Sequence, residues 1–224
     1  MDWFLMLKKL TGEFIGTFLL LAMIVGSGIM ATNISTDVGV QLMINVFSII
    51  SLLFVIILIF GPISGAHFNP IVTLTELFFK RIEATTAALY IVTQFAAATV
   101  GTIVANYMFN KPLIFSSHHN RDGFPILLGE VIATGGLLTI IALLRKQNKA
   151  GLTPIAIAAW IGSACFFTSS TSFANPAVTF ARAWSDTFAG IAPHSVLPFM
   201  GAQAIGAVLG LLIARGISSN EAVS

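Results

Sequence analysis

Long apolar stretches, separated by short charged segments, organise the whole chain. No charged residue stands between Glu13 and Asp37, from Val38 to Thr75, or from Ala84 to Asn110. Between Gly123 and Leu144 the only charge is Glu130. A helix needs about 20 apolar residues to cross a hydrocarbon core of about 30 Å. The pattern therefore predicts six transmembrane helices, near residues 12–32, 40–60, 84–108, 124–144, 153–170 and 195–215.

Two of these stretches are longer than one crossing requires, and each surplus begins at an Asn-Pro pair. Asn is favoured just before a helix, and Pro suits the first helical position because its missing N–H needs no partner there. Asn69-Pro70 and Asn175-Pro176 therefore predict helices over about Pro70–Phe79 and Pro176–Ser185. Ten residues of helix span about 15 Å, or half the membrane, so both are predicted to be re-entrant half-helices.

Three landmarks recur in the same order in both halves of the chain: a Gly-Glu pair, the Asn-Pro pair, and a Gln followed seven residues later by Gly. They stand at Gly12-Glu13, Asn69-Pro70 and Gln94/Gly101, and again at Gly129-Glu130, Asn175-Pro176 and Gln203/Gly210. Because each half holds three crossings, the second copy enters from the opposite face, as in inverted repeats. We interpret residues 1–224 as a single all-α membrane domain with halves 11–109 and 124–216.

The composition supports lipid as the main solvent and excludes several classes of function. The chain is 56% hydrophobic and 9% charged, whereas a soluble domain carries about a quarter charged residues. The net charge of +2 and the absence of a basic stripe argue against nucleic acid. A single cysteine, Cys165, excludes a disulfide framework and a Cys-rich metal site. No nucleophile–base set, metal cluster or phosphate loop is present, so we expect neither an enzyme nor a cofactor.

The basic residues predict the orientation in the membrane, because cytoplasmic loops carry an excess of Lys and Arg. With six crossings, eight of these residues fall on the side of the N-terminus: Lys8, Lys9, Lys80, Arg81, Arg145, Lys146, Lys149 and Arg215. Three fall on the other side: Lys111, Arg121 and Arg182. We therefore expect a multi-pass protein of the cell (inner) membrane with both termini in the cytoplasm.

The Asn-Pro segments resemble the two signatures of the major intrinsic protein family, the aquaporins and glycerol facilitators. The first signature matches Ser64-Gly65-Ala66-His67-Phe68-Asn69-Pro70-Ile71-Val72-Thr73, and the second matches Phe173-Ala174-Asn175-Pro176-Ala177. The similarity extends from about Thr11 to Arg215, nearly the whole chain. It implies six helices plus two half-helices, a pore in each protomer, and a homotetramer in the lipid bilayer.

A pore of this kind is expected to conduct water and small neutral solutes passively and to exclude protons and ions. Each Asn caps a half-helix with its side-chain oxygen and keeps its amide NH2 as a donor, while the two helix N-termini add positive potential. The pore motifs are Asn69, Pro70 and Ile71 in the first half and Asn175, Pro176 and Ala177 in the second. The backbone carbonyls of Gly65, Ala66 and His67 are expected to line the pore.

The chain departs from the family pattern at the outer constriction. Most members follow the second Asn-Pro-Ala with Arg, but here that position is Val178, and the first motif ends in Ile71 instead of Ala. Transferred by spacing from the two Asn residues, without gaps, the selectivity filter would be Ile49, Ser163, Ser172 and Val178. The departure resembles the subgroup with arsenic-resistance functions, whose second motif also reads Asn-Pro-Ala-Val and whose proposed cargo includes arsenite as its neutral trihydroxide.

Other polar residues in the spans leave alternatives open. Glu13 and Glu130 could form a proton relay or act as structural acceptors for the approach to each half-helix; their symmetry and the family resemblance favour the structural role. Arg182 could place a charge above the constriction, in an outer vestibule, or pair with Asp186 four residues on. His118, His119 and Arg121 are expected in a solvated outer loop.

Two further functions compete with a channel. A secondary transporter would share the inverted repeat and broken helices but would need titratable groups at the midplane, where only Glu13 and Glu130 qualify. A non-conducting member of the same fold would have a pore blocked by large side chains such as Ile49 and Phe173.

Overall fold

The computed structural model describes residues 3–218, which form eight α-helices joined by short connections. In chain order they are α1 (Trp3–Ile34), α2 (Val38–Ser64), α3 (Pro70–Phe78), α4 (Ala84–Met108), α5 (Phe124–Lys146), α6 (Thr153–Phe167), α7 (Pro176–Arg182) and α8 (Pro193–Ser218). A single turn of 3-10 helix, Ala150–Leu152, precedes α6. Six helices are long and apolar enough to cross a membrane, when α6 is counted together with the 3-10 turn before it (Ala150–Phe167), and α3 and α7 are the two short ones. The predicted fold class is confirmed.

The two short helices are shorter than the ten residues predicted for each. α3 has nine residues and α7 has seven. After Arg182 the chain leaves the helix, because the N–H groups of Ala183 and Trp184 turn back to carbonyls three residues earlier. The Trp184 carbonyl then accepts a hydrogen bond from Asn106 of α4 (3.2 Å). A contact between the two halves therefore ends α7 before Ser185.

The six crossings define two sides of the bundle. The terminal side carries the start of α1 and the end of α8; the loop side carries the connection between α4 and α5 and the segment between α7 and α8. α3 begins at mid-depth and runs back to the terminal side, whereas α7 begins at mid-depth and runs back to the loop side. The opposite directions of the two half-helices are those of an inverted repeat.

Glycines bring the long helices together in matching pairs, α1 with α4 and α5 with α8. A Cβ atom on Gly101 of α4 would lie 2.4 Å from the Phe18 carbonyl oxygen of α1. A Cβ atom on Gly210 of α8 would lie 2.1 Å from the Gly135 carbonyl oxygen of α5. Both distances are too short for any side chain, so these positions need glycine for the backbones to approach, as is common between membrane helices.

The distribution of polar and apolar side chains differs from that in a soluble protein. Large apolar residues point outward, among them Val92 (68% exposed) and Leu197 (76%). The carboxylates Glu13 and Glu130 are completely buried inside the bundle. An apolar exterior around a polar interior fits a protein that faces lipid and encloses a polar path.

Candidate functional site

The N-termini of α3 and α7 meet at the centre of the bundle, each capped by its Asn. The side-chain oxygen of Asn69 accepts a hydrogen bond from the N–H of Ile71 (2.9 Å). The side-chain oxygen of Asn175 accepts from the N–H groups of Ala177 (3.0 Å) and Val178 (3.3 Å). Both Asn residues have extended backbones, as helix-capping residues do.

Each capping Asn also binds the opposite half of the chain. The amide of Asn69 donates to the carbonyl of Ala174 (2.8 Å), and the amide of Asn175 donates to the carbonyl of Phe68 (2.8 Å). An NH2 group has two donors, so each Asn keeps one N–H for the adjoining cavity. The expectation that the whole NH2 group stays free was wrong: one donor of each pair holds the two halves together.

The approach to each half-helix is strained backbone. Ala66 and Phe68 before α3, and Ser172 and Ala174 before α7, have φ between +48° and +51° without being glycine. The left-handed region costs such a residue about 1–2 kcal/mol, so the surrounding structure must hold these conformations in place.

Two buried carboxylates accept the hydrogen bonds that hold the approach segments. Glu13 accepts from the N–H groups of His67 (2.9 Å) and Phe68 (2.8 Å), from Ser64 Oγ (2.8 Å) and from Gln94 Nε2 (2.8 Å). These four donors satisfy both carboxylate oxygens. The arrangement has the geometry of a structural acceptor.

The second half repeats this arrangement around Glu130. The Glu130 carboxylate accepts from the N–H groups of Phe173 (2.8 Å) and Ala174 (2.9 Å) and from Gln203 Nε2 (2.6 Å). The Gly-Glu, Asn-Pro and Gln landmarks of the repeat therefore meet in space in each half: the Glu and the Gln bind each other, and the Glu binds the backbone that leads to the Asn-Pro pair.

A cavity of about 890 Å³ runs along the axis of the bundle. On the loop side it is bordered by Lys111 and His118, it passes Asn69 and Asn175, and on the terminal side it extends to Ile157 of α6. Its walls are mostly aliphatic, with the polar groups concentrated at the two Asn residues and at the loop side. The polar groups at these points can guide a small hydrogen-bonding solute through an otherwise apolar cavity.

Three of the four predicted filter residues line this cavity, and the fourth does not. Ile49, Ser172 and Val178 are buried cavity residues, whereas Ser163 is exposed on the outside of α6. The residues of α6 that line the cavity are Ile157, Ile161 and Cys165, at a spacing of four. Ser163 lies two residues from Ile161, about 200° around the helix, so the ungapped transfer from the family was wrong here.

The predicted carbonyl positions are also corrected. Ala66 and His67 line the cavity, but Gly65 does not. Gly65 has a φ of +88° and ends α2, with its N–H bound to the Gly61 carbonyl (3.0 Å). The left-handed conformation at this position is one that glycine adopts without steric cost.

The remaining motif residues lie behind the two Asn side chains. Pro70, Ile71, Pro176 and Ala177 are buried but do not border the cavity. Ile71, which replaces the usual Ala of the first motif, packs instead among apolar residues of the second half. Its larger side chain therefore does not narrow the path.

The loop side brings two arginines into the cavity wall. Arg182 is buried and does not pair with Asp186, so that predicted pairing was wrong. Asp186 binds His118 instead, through the backbone N–H (2.9 Å) and the ring Nδ1 (2.9 Å); these hydrogen bonds hold the pKa of Asp186 below its ordinary value.

Arg121 was predicted to be a solvated loop residue, and this was also wrong. Its side chain lines the cavity, and its Nε donates to the Gly190 carbonyl (2.9 Å). Burial lowers the pKa of Arg121 to about 10, so the side chain is still charged at neutral pH. A lone Arg in a polar loop gives no periodic signal, which is why the sequence did not reveal its position.

Six membrane-crossing helices around a cavity where two half-helices meet define a channel-type membrane protein. A model of the family described as major intrinsic protein matches residues 2–172. Aquaglyceroporin AqpS of Rhizobium meliloti (strain 1021) is 39% identical over 216 residues, covering 96% of this chain and 92% of that protein. The chain belongs to the major intrinsic protein family.

Two further comparisons agree with this family. The glycerol uptake facilitator protein-like 6 of Lactiplantibacillus plantarum is 28% identical, covering 96% of this chain and all of that protein. The X-ray structure of the aquaglyceroporin from Plasmodium falciparum shares the fold, with a TM-score of 0.65 at 18% identity over 96% of this chain and 98% of that one. Family membership confirms a multi-pass membrane channel for water and glycerol-type solutes, and not an enzyme.

Proposed function

We propose that this channel conducts neutral hydroxylated solutes larger than water, including glycerol and metalloid hydroxides such as arsenite, as well as water itself. The observation that carries the proposal is Val178, a short apolar residue at the cavity wall where most of the family has Arg. The 39% identity to a protein named an aquaglyceroporin supports the same solute range.

The selectivity filter consists, in this proposal, of Ile49, Ser172 and Val178, with Cys165 of α6 in the place first assigned to Ser163. Ile49 and Val178 offer apolar surface to the carbon side of a polyol. Ser172 also borders the cavity, and its buried hydroxyl oxygen has no hydrogen-bond partner among the described residues.

Passage at the centre depends on Asn69 and Asn175. A solute oxygen loses hydrogen bonds to water when it enters the cavity. The remaining N–H of each Asn can replace one of these hydrogen bonds. Because both central donors point N–H groups at the path, a passing water is oriented with its oxygen toward them, and proton hopping along a water chain is interrupted. Glu13 and Glu130 act structurally, since their carboxylates already bind the backbone of the approach segments.

Two other functions are disfavoured by the same contacts. A secondary transporter would need a titratable midplane group that is free to bind a coupling ion, and Glu13 and Glu130 have their oxygens engaged by protein donors. In a non-conducting member, Ile49 and Phe173 would block the path, whereas here both border a cavity whose lining reaches from the loop side past the two Asn residues. Linear, non-saturating flux is the expected signature of a channel.

The proposal is tested with purified protein in liposomes and stopped-flow measurement of water, glycerol and arsenite uptake. Wild type should take up all three faster than empty liposomes. Val178→Arg should slow glycerol and arsenite about tenfold or more while water flux continues, because a long cationic side chain narrows the filter. Ser163→Ala, on the exposed surface of α6 away from the cavity, is the matched control and should behave as wild type.

Two outcomes would contradict this solute range. Wild-type flux confined to water would exclude a wide filter. Equal slowing of water and glycerol in Val178→Arg would mean that residue 178 does not set the selectivity.

We further propose that the 1–224 chain functions as one domain, with halves 11–109 and 124–216, and assembles as a homotetramer with a pore in each protomer. It would lie in the cell (inner) membrane with both termini in the cytoplasm. Membership of the family supports the assembly, and cross-linking in native membranes would test it: a ladder ending at two copies would argue against four.

A further inference from the structure

Two guanidinium groups stand over the same aromatic ring in the cavity wall. The Cζ atom of Arg182 lies 3.4 Å from the centroid of the Phe173 ring, and the Cζ atom of Arg121 lies 4.9 Å from it. All three residues border the cavity. Phe173 is itself held by an edge contact with Phe199 (5.2 Å between centroids) and by its N–H bond to Glu130. The ring is therefore a fixed platform for both charges.

Neutral acceptors position both arginines. Arg121 donates from Nη1 to the Ser170 carbonyl (3.3 Å) and to Thr171 Oγ1 (3.4 Å), in addition to its bond to Gly190. Arg182 donates from Nε to the Ala189 carbonyl. Among residues 3–218, no carboxylate forms an ion pair with either guanidinium.

The loop that supplies Arg121 is fixed to the second half of the chain just before this residue and at the residue itself. The N–H of Ser117 donates to the Ala183 carbonyl (2.9 Å), and the carbonyl of His119 accepts from the N–H of Ala192 (2.7 Å). The N–H of Arg121 itself donates to Ser195 Oγ (3.3 Å). These bonds give the loop one position relative to α7 and α8, so Arg121 is held in the cavity wall.

We propose that Arg121 and Arg182 together form the cation-excluding constriction of this channel, in place of the Arg that position 178 lacks. Neither charge has an ion-pair partner among the described residues, although the buried Glu130 carboxylate attracts both from farther away. Beside a cavity with mostly aliphatic walls, the two positive charges raise the local potential and repel a cation far more than charges in water would. The terminal nitrogens of Arg182 donate to no described protein atom, so they can also bind the oxygens of a neutral solute.

This inference rests on the proposed function, because it assumes that the cavity conducts. In most of the family, one Arg both narrows the filter and makes it positive. In this channel the two properties would belong to different residues. The short Val178 leaves the filter wide, while the two arginines, attached at other positions of the chain, keep it positive. The channel can then admit a larger neutral solute without admitting Na⁺, K⁺ or organic cations.

The main test is K⁺ leak from liposomes that contain the channel. The double variant Arg121→Ala/Arg182→Ala should leak K⁺ at least about tenfold faster than wild type, since both charges are removed from the path. Water flux per channel is measured in the same vesicles to show that the variant pore conducts. Restoring the charges with Arg121→Lys/Arg182→Lys should bring the leak back toward the wild-type rate.

Lys111→Ala is the matched control, because it removes one positive charge from the exposed loop-side mouth of the same cavity. It should leave the K⁺ leak at the wild-type rate. A double alanine variant that conducts water but leaks K⁺ no faster than wild type would overturn the inference. So would a Lys111→Ala leak as large as that of the double variant.

A second measurement needs no variant. Urea and guanidinium have nearly the same size and shape and differ by one charge, so wild type should pass urea at least about tenfold faster. Equal rates would overturn the inference. Exclusion of urea together with a raised K⁺ leak in the double variant would overturn the proposed solute range and still support the charge assignment.

Discussion

At the scale of single residues, the protein depends on two carboxylates that never meet the solute. Glu130 accepts hydrogen bonds from Phe173 and Ala174, and so holds a left-handed alanine just before the Asn175 cap. Glu13 does the same before Asn69. The amide N–H donors of the two capping Asn residues are therefore positioned by Glu13 and Glu130, which do not themselves border the cavity. The geometry of these donors depends on buried carboxylates.

Replacing this carboxylate by its amide should destabilise the protein. In Glu130→Gln, one oxygen becomes an NH2 group, which faces the donors Ala174 N–H or Phe173 N–H and cannot accept from them. Leaving one buried donor unsatisfied costs about 1–3 kcal/mol. Thermal unfolding in detergent should show a lower Tm than wild type, with slower glycerol flux.

The exposed Ser163→Ala variant serves as the control for handling and reconstitution. An unchanged Tm in Glu130→Gln would argue that the carboxylate does not stabilise the approach segment, and would return the proton-relay alternative to consideration.

At the scale of elements, the long helices and the half-helices are held in place by different contacts. α5 and α8 approach at Gly135 and Gly210, where no side chain fits. The terminal-side end of α3 is anchored by Glu76, a buried carboxylate that binds Arg81 (3.0 Å) and Arg145 of α5. This ion-pair cluster joins the first half-helix to the second half of the chain, and sequence spacing gave no sign of it because the partners are 69 residues apart.

A methyl group at the α5–α8 contact should weaken the bundle. Gly210→Ala would place its Cβ 2.1 Å from the Gly135 carbonyl oxygen, so the helices must move apart. Overpacking of this kind costs about 1–3 kcal/mol. The expected result is a lower Tm in detergent and a smaller monodisperse fraction on size exclusion.

The matched control is Gly201→Ala on the same helix, where a Cβ meets no atom within 4 Å. Alanine favours helix over glycine, so this variant should be as stable as wild type or slightly more stable. Equal behaviour of the two variants would show that close backbone approach is not what Gly210 provides.

At the scale of the whole molecule, the charge asymmetry between the two sides is stronger than the count of residues indicates. All three basic residues assigned to the loop side border the cavity, and only Lys111 among them is exposed. The opposite side carries eight Lys and Arg residues. The positive-inside rule then favours a cytoplasmic terminal side.

Reporter fusions test this orientation. A fluorescent protein fused after Ser224 should fold and fluoresce in the cytoplasm, while alkaline phosphatase inserted in the loop near Lys111 should be active outside. Opposite activities would place the arginine pair on the cytoplasmic side and contradict the expected orientation. Lys111→Ala, carried in the same fusions, shows whether the single exposed loop charge affects insertion.

The sequence alone determined the six spans, the two half-helices and their inverted relation. These features follow from patterns that are local or repeated: uninterrupted apolar length, the Asn-Pro capping signal, and the order of Glu, Asn-Pro and Gln in both halves. The repeat also included Gly101 and Gly210, and the structure shows close helix contact at both, as is common for small residues in membrane helices.

The tertiary structure decided which side chains reach the cavity. Ser163 and Cys165 differ by two positions on one helix, and only the rotation of α6 in the bundle makes one an exposed residue and the other a cavity residue. Arg121 and Arg182 are 61 positions apart in the sequence, and only the folded loop brings both guanidiniums to one ring. Such positions depend on contacts between distant segments, which no local pattern records.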